Sequence, residues 1–145
     1  MELYTQIEIN SSREKIWNVF TDTSKYLEWN PFIKYIFGEL KLNNTIYEIG
    51  YTEENIYLPY KMKVKTFEPF HQIIFESDLD FFSRLIFFDH HRYLLEEIGS
   101  KKFRFSHTAF FSGIIAELKK DHILTNIKRV HDEMNLALKK RVEIA

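Results

Sequence analysis

A chain of 145 residues with a net charge of −1 is long enough for one domain with a substantial core, and it lacks the basic field that gathers nucleic acid. It has no cysteine, which excludes disulfides, thiol catalysis and thiolate metal sites. Aromatic residues make up 17% of the chain, which indicates a dense core or the wall of an apolar pocket. No signal-peptide pattern and no apolar run of membrane-spanning length is present, so we expect a soluble, cytoplasmic protein without stable membrane insertion.

No internal repeat or linker divides the sequence, so residues 1–145 are expected to form a single domain. Residues 3–9 alternate between apolar and polar side chains, which predicts a first strand. A capping-box pattern that begins at Ser11 predicts a short helix directly after this strand. A second short helix is expected to end before Pro31, because the residue before a proline avoids the helical region.

The middle of the chain changes to a period of two residues, which is typical of strands. Six further strands are predicted at about 32–41, 45–53, 58–67, 72–79, 87–97 and 102–111. Because short turns join them, the strands should pair antiparallel. Residues 114–141 return to helical spacing with one apolar stripe, which predicts an amphipathic helix about 40 Å long that packs on the sheet. The fold class is therefore α+β.

Four segments, taken in this order of elements, resemble the START / birch-pollen-allergen superfamily, also called SRPBCC or helix-grip. They are INSSREKIWNVFTDTSKYLEWNPFIKYIFGEL (9–40), FDHHRYLLEE (88–97), RFSHTAFFSGII (104–115) and DEMNLALKKRVE (132–143). Within that superfamily the chain is most similar to the bacterial polyketide-cyclase/dehydrase-like branch. The resemblance implies a curved seven-stranded antiparallel sheet wrapped around the long C-terminal helix, with two short helices between strands 1 and 2. It also implies an apolar cavity between sheet and helix.

The resemblance also bears on two short motifs. Trp29, Asn30 and Phe32 should lie where the second short helix meets the sheet, at one end of the cavity. Trp29 is there either a plug of the core or part of the wall that contacts a ligand. Many relatives carry acidic residues just before a Phe-Ser-Gly sequence, whereas this chain has Ala109 and Phe110 at those positions. The cavity should be more apolar at that place.

The last predicted hairpin places two histidines on one face. If residues 98–100 form the turn, the residue numbers of each cross-strand pair add up to 198. His91 then lies opposite His107, with Tyr93 and Asp89 on the same face beside them. The surrounding positions on this face are apolar, so it should line the cavity. A slip of one residue would send the whole set to the other face.

Neighbouring histidines in an apolar pocket admit three roles. They can orient the polar end of a ligand, act as general acid or base near neutral pH, or bind a metal together with a carboxylate. Orientation of a ligand is the preferred interpretation. The chain shows no further metal-ligand spacing and no nucleotide motif, so neither a metal site nor a cofactor is predicted.

The predicted apolar wall draws on several strands and on the long helix: Tyr47, Met62, Val64, Phe75, Tyr93, Phe105, Phe111 and Ile123. With the polar anchors His91 and His107 and the flanking Asp89, this wall predicts binding of a small hydrophobic molecule, which the resemblance makes lipid-, polyketide- or aromatic-like. The alternative is a cofactor-independent cyclase, dehydratase or hydrolase. There His91 or His107 would be the acid or base, and Tyr93 would donate a hydrogen bond to a carbonyl.

Segment 80–88, DFFSRLIFF, is expected to form an apolar loop and the start of a strand. Such a loop can be a lid over the cavity mouth, a dimer patch or a membrane-surface contact, and we prefer the lid. A third functional hypothesis is a protein-interaction, co-chaperone-like module, which a cavity filled by side chains would favour. The sequence is compatible with a monomer or a homodimer.

Overall fold

The computed structural model describes residues 1–50 and 59–144. The strands within these ranges are β1 (Glu2–Ile9), β2 (Ile33–Phe37), β3 (Thr45–Gly50), β4 (Pro59–Glu68), β5 (Gln72–Ser77), β6 (Phe88–Gly99) and β7 (Lys102–Ser112). They form one antiparallel sheet in the order β1-β7-β6-β5-β4-β3-β2. The predicted seven-stranded sheet is confirmed. The predicted strand residues 51–53 and 58 lie outside the described residues.

The helices in the same ranges are α1 (Arg13–Thr21), α2 (Tyr26–Trp29), α3 (Phe81–Ile86), α4 (Ile114–Leu118), α5 (Lys120–His122) and α6 (Lys128–Ile144). Helices α1 and α2 lie between β1 and β2, as expected. Ser12 rather than Ser11 caps α1, because its side chain accepts a hydrogen bond from the backbone N–H of Lys15 at 3.2 Å. None of these helices is both long enough and apolar enough to cross a membrane.

The C-terminal helix is interrupted near its start. The prediction of one continuous helix over 114–141 is wrong in this part, because the backbone leaves the helical region at Lys119 (φ −106°, ψ 21°). A π-helical turn follows at Ile123–Ile127, and the helix then continues through α6. Leu118, predicted on the apolar stripe, is 80% exposed because it precedes this break. The long C-terminal helix itself is confirmed.

Helix α6 crosses the sheet beside β1. Its buried side chains recur at helical spacing: Val130, His131, Met134, Asn135, Leu138 and Val142. The side-chain amide of Asn135 donates a hydrogen bond to the hydroxyl oxygen of Thr5 at 3.0 Å, and the Lys139 amine donates to the backbone carbonyl of Glu8 at 2.7 Å. These contacts hold the helix in register with the first strand.

Segment 80–88 contains a helix that the sequence analysis missed. The carboxylate of Asp80 accepts a hydrogen bond from the backbone N–H of Ser83 at 2.8 Å, which caps α3. Phe81 and Phe82 are 72% and 77% exposed, so they do not fold back over the cavity mouth. The lid hypothesis therefore has no support from the contacts of these side chains.

The backbone conformation at Gly113 explains why the Phe-Ser-Gly motif ends in glycine. Its φ of +102° lies in a region that other residues rarely adopt. A Cβ atom at this position would come within 2.6 Å of the carbonyl oxygen of Ile86. Glycine is thus required where β7 passes the end of α3 and enters α4.

Aromatic side chains pack one end of the space between sheet and helix. The ring centroid of Phe20, from α1, lies 5.0 Å from the centroids of Tyr93 and Phe105. These rings belong to the larger apolar cluster of the core, and a smaller cluster around Phe111 and Ile123 lies at the other end. A cavity lies instead at the end where α4 and the π-helical turn meet the sheet.

Candidate functional site

A cavity of about 410 Å³ opens between the sheet and the segment that joins β7 to α6. Its wall consists of Phe32, Ile33, Glu48, Gly50, Tyr60, Phe87, Asp89, His91, Phe111, Ile115, Lys119, His122, Ile123 and Ile127. Most of these side chains are apolar. Five of them, namely Phe32, Asp89, His91, Phe111 and Ile123, were predicted from the sequence to contact a ligand.

Other predicted wall residues lie elsewhere. Tyr47 is 44% exposed on the outer face of the sheet, because Ile46 and Glu48 occupy the inward positions of β3, so its assignment to the cavity is wrong. Met62, Val64, Phe75, Tyr93 and Phe105 do face inward, but they are packed in the larger apolar cluster and not on the cavity wall. Alternation along a strand specifies the face, whereas the position along the sheet decides between core and cavity.

Trp29 and Asn30 have structural positions at the start of β2. Trp29 borders a separate surface groove beside α1, and its ring packs edge-on against Tyr26 at 5.2 Å between centroids. Asn30 is fully buried, and its side-chain oxygen accepts hydrogen bonds from the backbone N–H groups of Phe32 and Ile33 at 2.8 and 2.9 Å. These contacts turn the chain from α2 into the sheet after Pro31.

The hairpin of β6 and β7 has a register different from the predicted one. The residue numbers of each cross-strand pair add up to 200 over most of the hairpin, so Tyr93 lies opposite His107 and His91 lies opposite Ala109. The prediction of 198 is wrong because a bulge separates the Glu97 pair from the pair at Gly99. The error of two residues preserves the alternation, so both histidines still face inward.

His91 and His107 are diagonal neighbours in a buried chain of hydrogen bonds. Nδ1 of His91 lies 2.8 Å from Nε2 of His107, and Nε2 of His91 lies 3.0 Å from the carboxylate of Asp89. The hydroxyl of Ser77 donates to the same carboxylate and accepts from the backbone N–H of Asp89 at 3.0 Å. Because a carboxylate only accepts, Nε2 of His91 carries a proton.

The pKa values of these hydrogen-bonded groups are shifted in different directions. Burial opposes the charge of Asp89, but the hydrogen bonds and charge of His91 and the Ser77 hydroxyl hold the pKa of Asp89 below its ordinary value. Burial also opposes the charge of His91, yet Asp89 and Glu48 raise the pKa of His91 above its ordinary value. Burial, with the charges of the neighbouring histidines, lowers the pKa of His107 well below its ordinary value. These directions favour charge on Asp89 and His91 and a neutral ring at His107.

A third histidine, His131 of α6, completes the cluster and was not among the predicted residues. It is fully buried, with its ring centroid 4.2 Å from that of His107 and 5.8 Å from that of His91. Burial and the charge of His91 lower the pKa of His131 well below its ordinary value. A signal was present in the sequence, since His131 lies four residues after Ile127 and three before Met134, on the apolar stripe.

Glu48 is another residue of the site that the sequence analysis missed. It shares the inner face of β3 with Ile46 and is buried on the cavity wall. Burial, reinforced by the charge of Asp89 and opposed by that of His91, raises the pKa of Glu48 to about 7. The cavity thus holds one carboxyl group that is ionised and one that titrates near neutrality.

No family model matches the chain, and no curated protein is significantly similar to it. Solved structures do match. A START superfamily protein from Mycobacterium smegmatis is 18% identical, with a TM-score of 0.72 over 99% of this chain and 97% of the other. The chain has the helix-grip fold of the START superfamily.

Two further matches extend the comparison within that fold. Norcoclaurine synthase from Thalictrum flavum, solved with dopamine and hydroxybenzaldehyde, is 14% identical, with a TM-score of 0.70 over 99% of this chain and 87% of the other. The di-domain ARO/CYC StfQ of the steffimycin biosynthetic pathway is 9% identical, with a TM-score of 0.77 over 99% of this chain and 51% of that protein. The structural match to the ARO/CYC protein agrees with the sequence resemblance to the polyketide-cyclase/dehydrase-like branch.

Proposed function

We propose that this protein binds a small, mainly hydrophobic molecule that carries one hydrogen-bonding group. The observation that carries the proposal is the apolar cavity of about 410 Å³ with His91, Asp89 and Glu48 on its wall. Its volume lies within the roughly 300–1,000 Å³ of ligand pockets. Burial of apolar ligand surface would drive binding, at about 25 cal/mol per Å² before ordering costs.

The polar groups on the wall suit a ligand with a hydroxyl, carbonyl or carboxyl group. Glu48 can donate or accept a hydrogen bond near neutral pH, since its pKa is about 7. Dopamine and hydroxybenzaldehyde, the molecules bound in the norcoclaurine synthase of this fold, are small aromatic compounds with such groups. They support an aromatic or polyketide-like ligand class for this chain as well.

Narrowing the cavity should weaken ligand binding. Replacing Ile115, on the wall, by tryptophan is expected to raise the Kd for anilinonaphthalene sulfonate at least tenfold, because the indole occupies ligand volume. Ile114→Trp is the matched control, since Ile114 precedes Ile115 on α4, is 62% exposed and lies outside the wall. Fluorescence titration of both variants measures the effect.

Equal affinity of the two variants for the probe would contradict the proposal, because the probe would then bind the exposed apolar helices rather than the cavity. Native mass spectrometry of the freshly purified wild-type protein complements the titration. A retained molecule of discrete mass would identify the ligand class directly. A cavity filled by side chains would have favoured the protein-interaction hypothesis, and the described part of the chain leaves a cavity open.

A second candidate, acid–base catalysis in the same cavity, is favoured by Glu48 beside the Asp89–His91 pair. The pKa of Glu48 is raised and that of Asp89 is lowered, although both carboxyl groups lie on the same wall. Such a pair can act as a general acid and a general base. Both the norcoclaurine synthase and the ARO/CYC protein of this fold carry the names of enzymes.

Under this candidate, Glu48→Gln should lower turnover by about 10²-fold and leave affinity for the fluorescent probe within threefold. Turnover is followed by mass spectrometry with a panel of aromatic aldehydes and poly-β-carbonyl compounds. Glu2→Gln, at an exposed position of β1, is the control and should retain full activity. Unchanged turnover in Glu48→Gln would exclude Glu48 as the acid or base.

A further inference from the structure

The buried histidines come from three separate elements of the fold. His91 lies on β6, His107 on β7 and His131 on α6, and one ring nitrogen from each lies within 4.8 Å of the others. Sequence reasoning predicted no metal site, because nothing in the chain beyond His91 and His107 shows metal-ligand spacing. The fold adds the third ligand from a helix that is remote in sequence.

The hydrogen bonds of the described residues leave half of the six ring nitrogens in this cluster unused. Nδ1 of His107 and both ring nitrogens of His131 are buried without a partner in residues 1–50 and 59–144. Buried polar atoms of native proteins are nearly always paired, so an unpaired set calls for an explanation such as a bound ion. A cation among the three rings would use one lone pair from each.

We propose that His91, His107 and His131 bind a divalent transition-metal ion of the zinc class. Neutral imidazole is the commonest protein ligand of such ions, and three histidines leave a fourth position for water or a ligand atom. In a tetrahedral site with metal–nitrogen bonds of about 2.0–2.1 Å, ligand nitrogens lie about 3.4 Å apart. Nδ1 of His91 and Nε2 of His107 are 2.8 Å apart because they share one proton in a hydrogen bond. The ion would displace that proton to solvent, and small side-chain rotations would admit it.

Groups around the three rings have the character of an outer coordination shell. Asp89 accepts from Nε2 of His91, which leaves Nδ1 of that ring for the metal, and Ser77 holds the carboxylate in turn. Phe32 packs its ring against His131 at 4.6 Å between centroids, and its ring is 6.1 Å from that of His91. Because Phe32 and His91 also line the cavity, the cavity is the entry path for the ion.

Cobalt(II) titration of tag-free, chelator-treated protein tests the proposal. We expect one equivalent to bind, with the visible spectrum of a four-coordinate nitrogen site. His131→Leu should weaken the apparent Kd at least 100-fold, and it should fold, because the replaced ring makes no hydrogen bond with the described residues. His90→Leu, one residue from His91 but on the opposite face, should bind like the wild type.

Long-range ¹H–¹⁵N correlation spectra of the histidine rings locate bound zinc(II) without any variant. Of the six histidines in the chain, only those of the cluster should shift. Absence of saturable binding, equal affinity in His131→Leu, or shifts confined to His71, His90 and His122 would overturn the proposal. His131 does not line the cavity, so loss of metal binding in His131→Leu with intact probe binding would separate this site from the ligand cavity.

Discussion

Replacing Phe20 by alanine is expected to lower the free energy of unfolding by about 3–5 kcal/mol, the usual cost of removing a buried aromatic ring. The side chain is 2% exposed. Its ring centroid is 5.0 Å from those of Tyr93 and Phe105 and 6.2 Å from that of Trp17. These rings are held by strands of the sheet and by α1, so they cannot collapse into the space without moving the backbone.

Urea unfolding of the two proteins measures this difference. Phe82→Ala is the matched control, since the same atoms are removed from a side chain that is 77% exposed, and it should change stability by less than about 1 kcal/mol. A loss below about 1 kcal/mol in Phe20→Ala would mean that this end of the space between sheet and helix is loosely filled. The cavity would then extend further than the described wall.

The aromatic side chains of this protein have two different roles, one at each end of the space between sheet and helix. At the α1 end, Phe20, Tyr93 and Phe105 fill the space and stabilise the fold. At the opposite end, Phe32 and Phe111 border empty volume. Composition alone could not separate a dense core from a cavity wall, because both need large apolar side chains and only the packing along the sheet distinguishes them.

The inward face of the last hairpin could be predicted because period-two alternation is insensitive to an even error in register. His91 and His107 were therefore placed together although the pairing was wrong by two residues. The bulge next to Gly99 could not be predicted, since the Ile-Gly-Ser sequence fits turns of more than one length. The order of elements and the inward face of this hairpin followed from local patterns, and the register depended on one irregular turn.

Glu48 and His131 were missed for different physical reasons. In β3 both phases of the alternation contain apolar residues, with Tyr47 and Ile49 on one and Ile46 on the other, so the inner face was ambiguous. His131 lies on the apolar stripe of α6, but its distance from His91 and His107 depends on how the helix crosses the sheet. Local periodicity specifies a face, and only the tertiary structure specifies which faces meet.

Replacing Glu48 by glutamine is expected to stabilise the protein above neutral pH by roughly 3 kcal/mol. The pKa of Glu48 rises from 4.5 to about 7 on folding, mainly through burial. A carboxyl group with a raised pKa binds more protons in the folded state, so stability falls as the pH rises from about 4.5 to 7 and is constant above that. Glutamine, which has no charge to bury, removes this loss.

Unfolding of ligand-free wild type and Glu48→Gln at about pH 5 and about pH 8 separates this effect from changes in packing. A packing change contributes equally at both pH values, whereas the linkage contributes little at about pH 5 and in full at about pH 8. Glu2→Gln, at an exposed position, should follow the wild type at both. If the stability difference between wild type and Glu48→Gln were the same at both pH values, Glu48 would be ionised throughout. The cavity wall would then carry two permanent negative charges, and a ligand with a cationic or donor group would fit it better than one with a carboxylate.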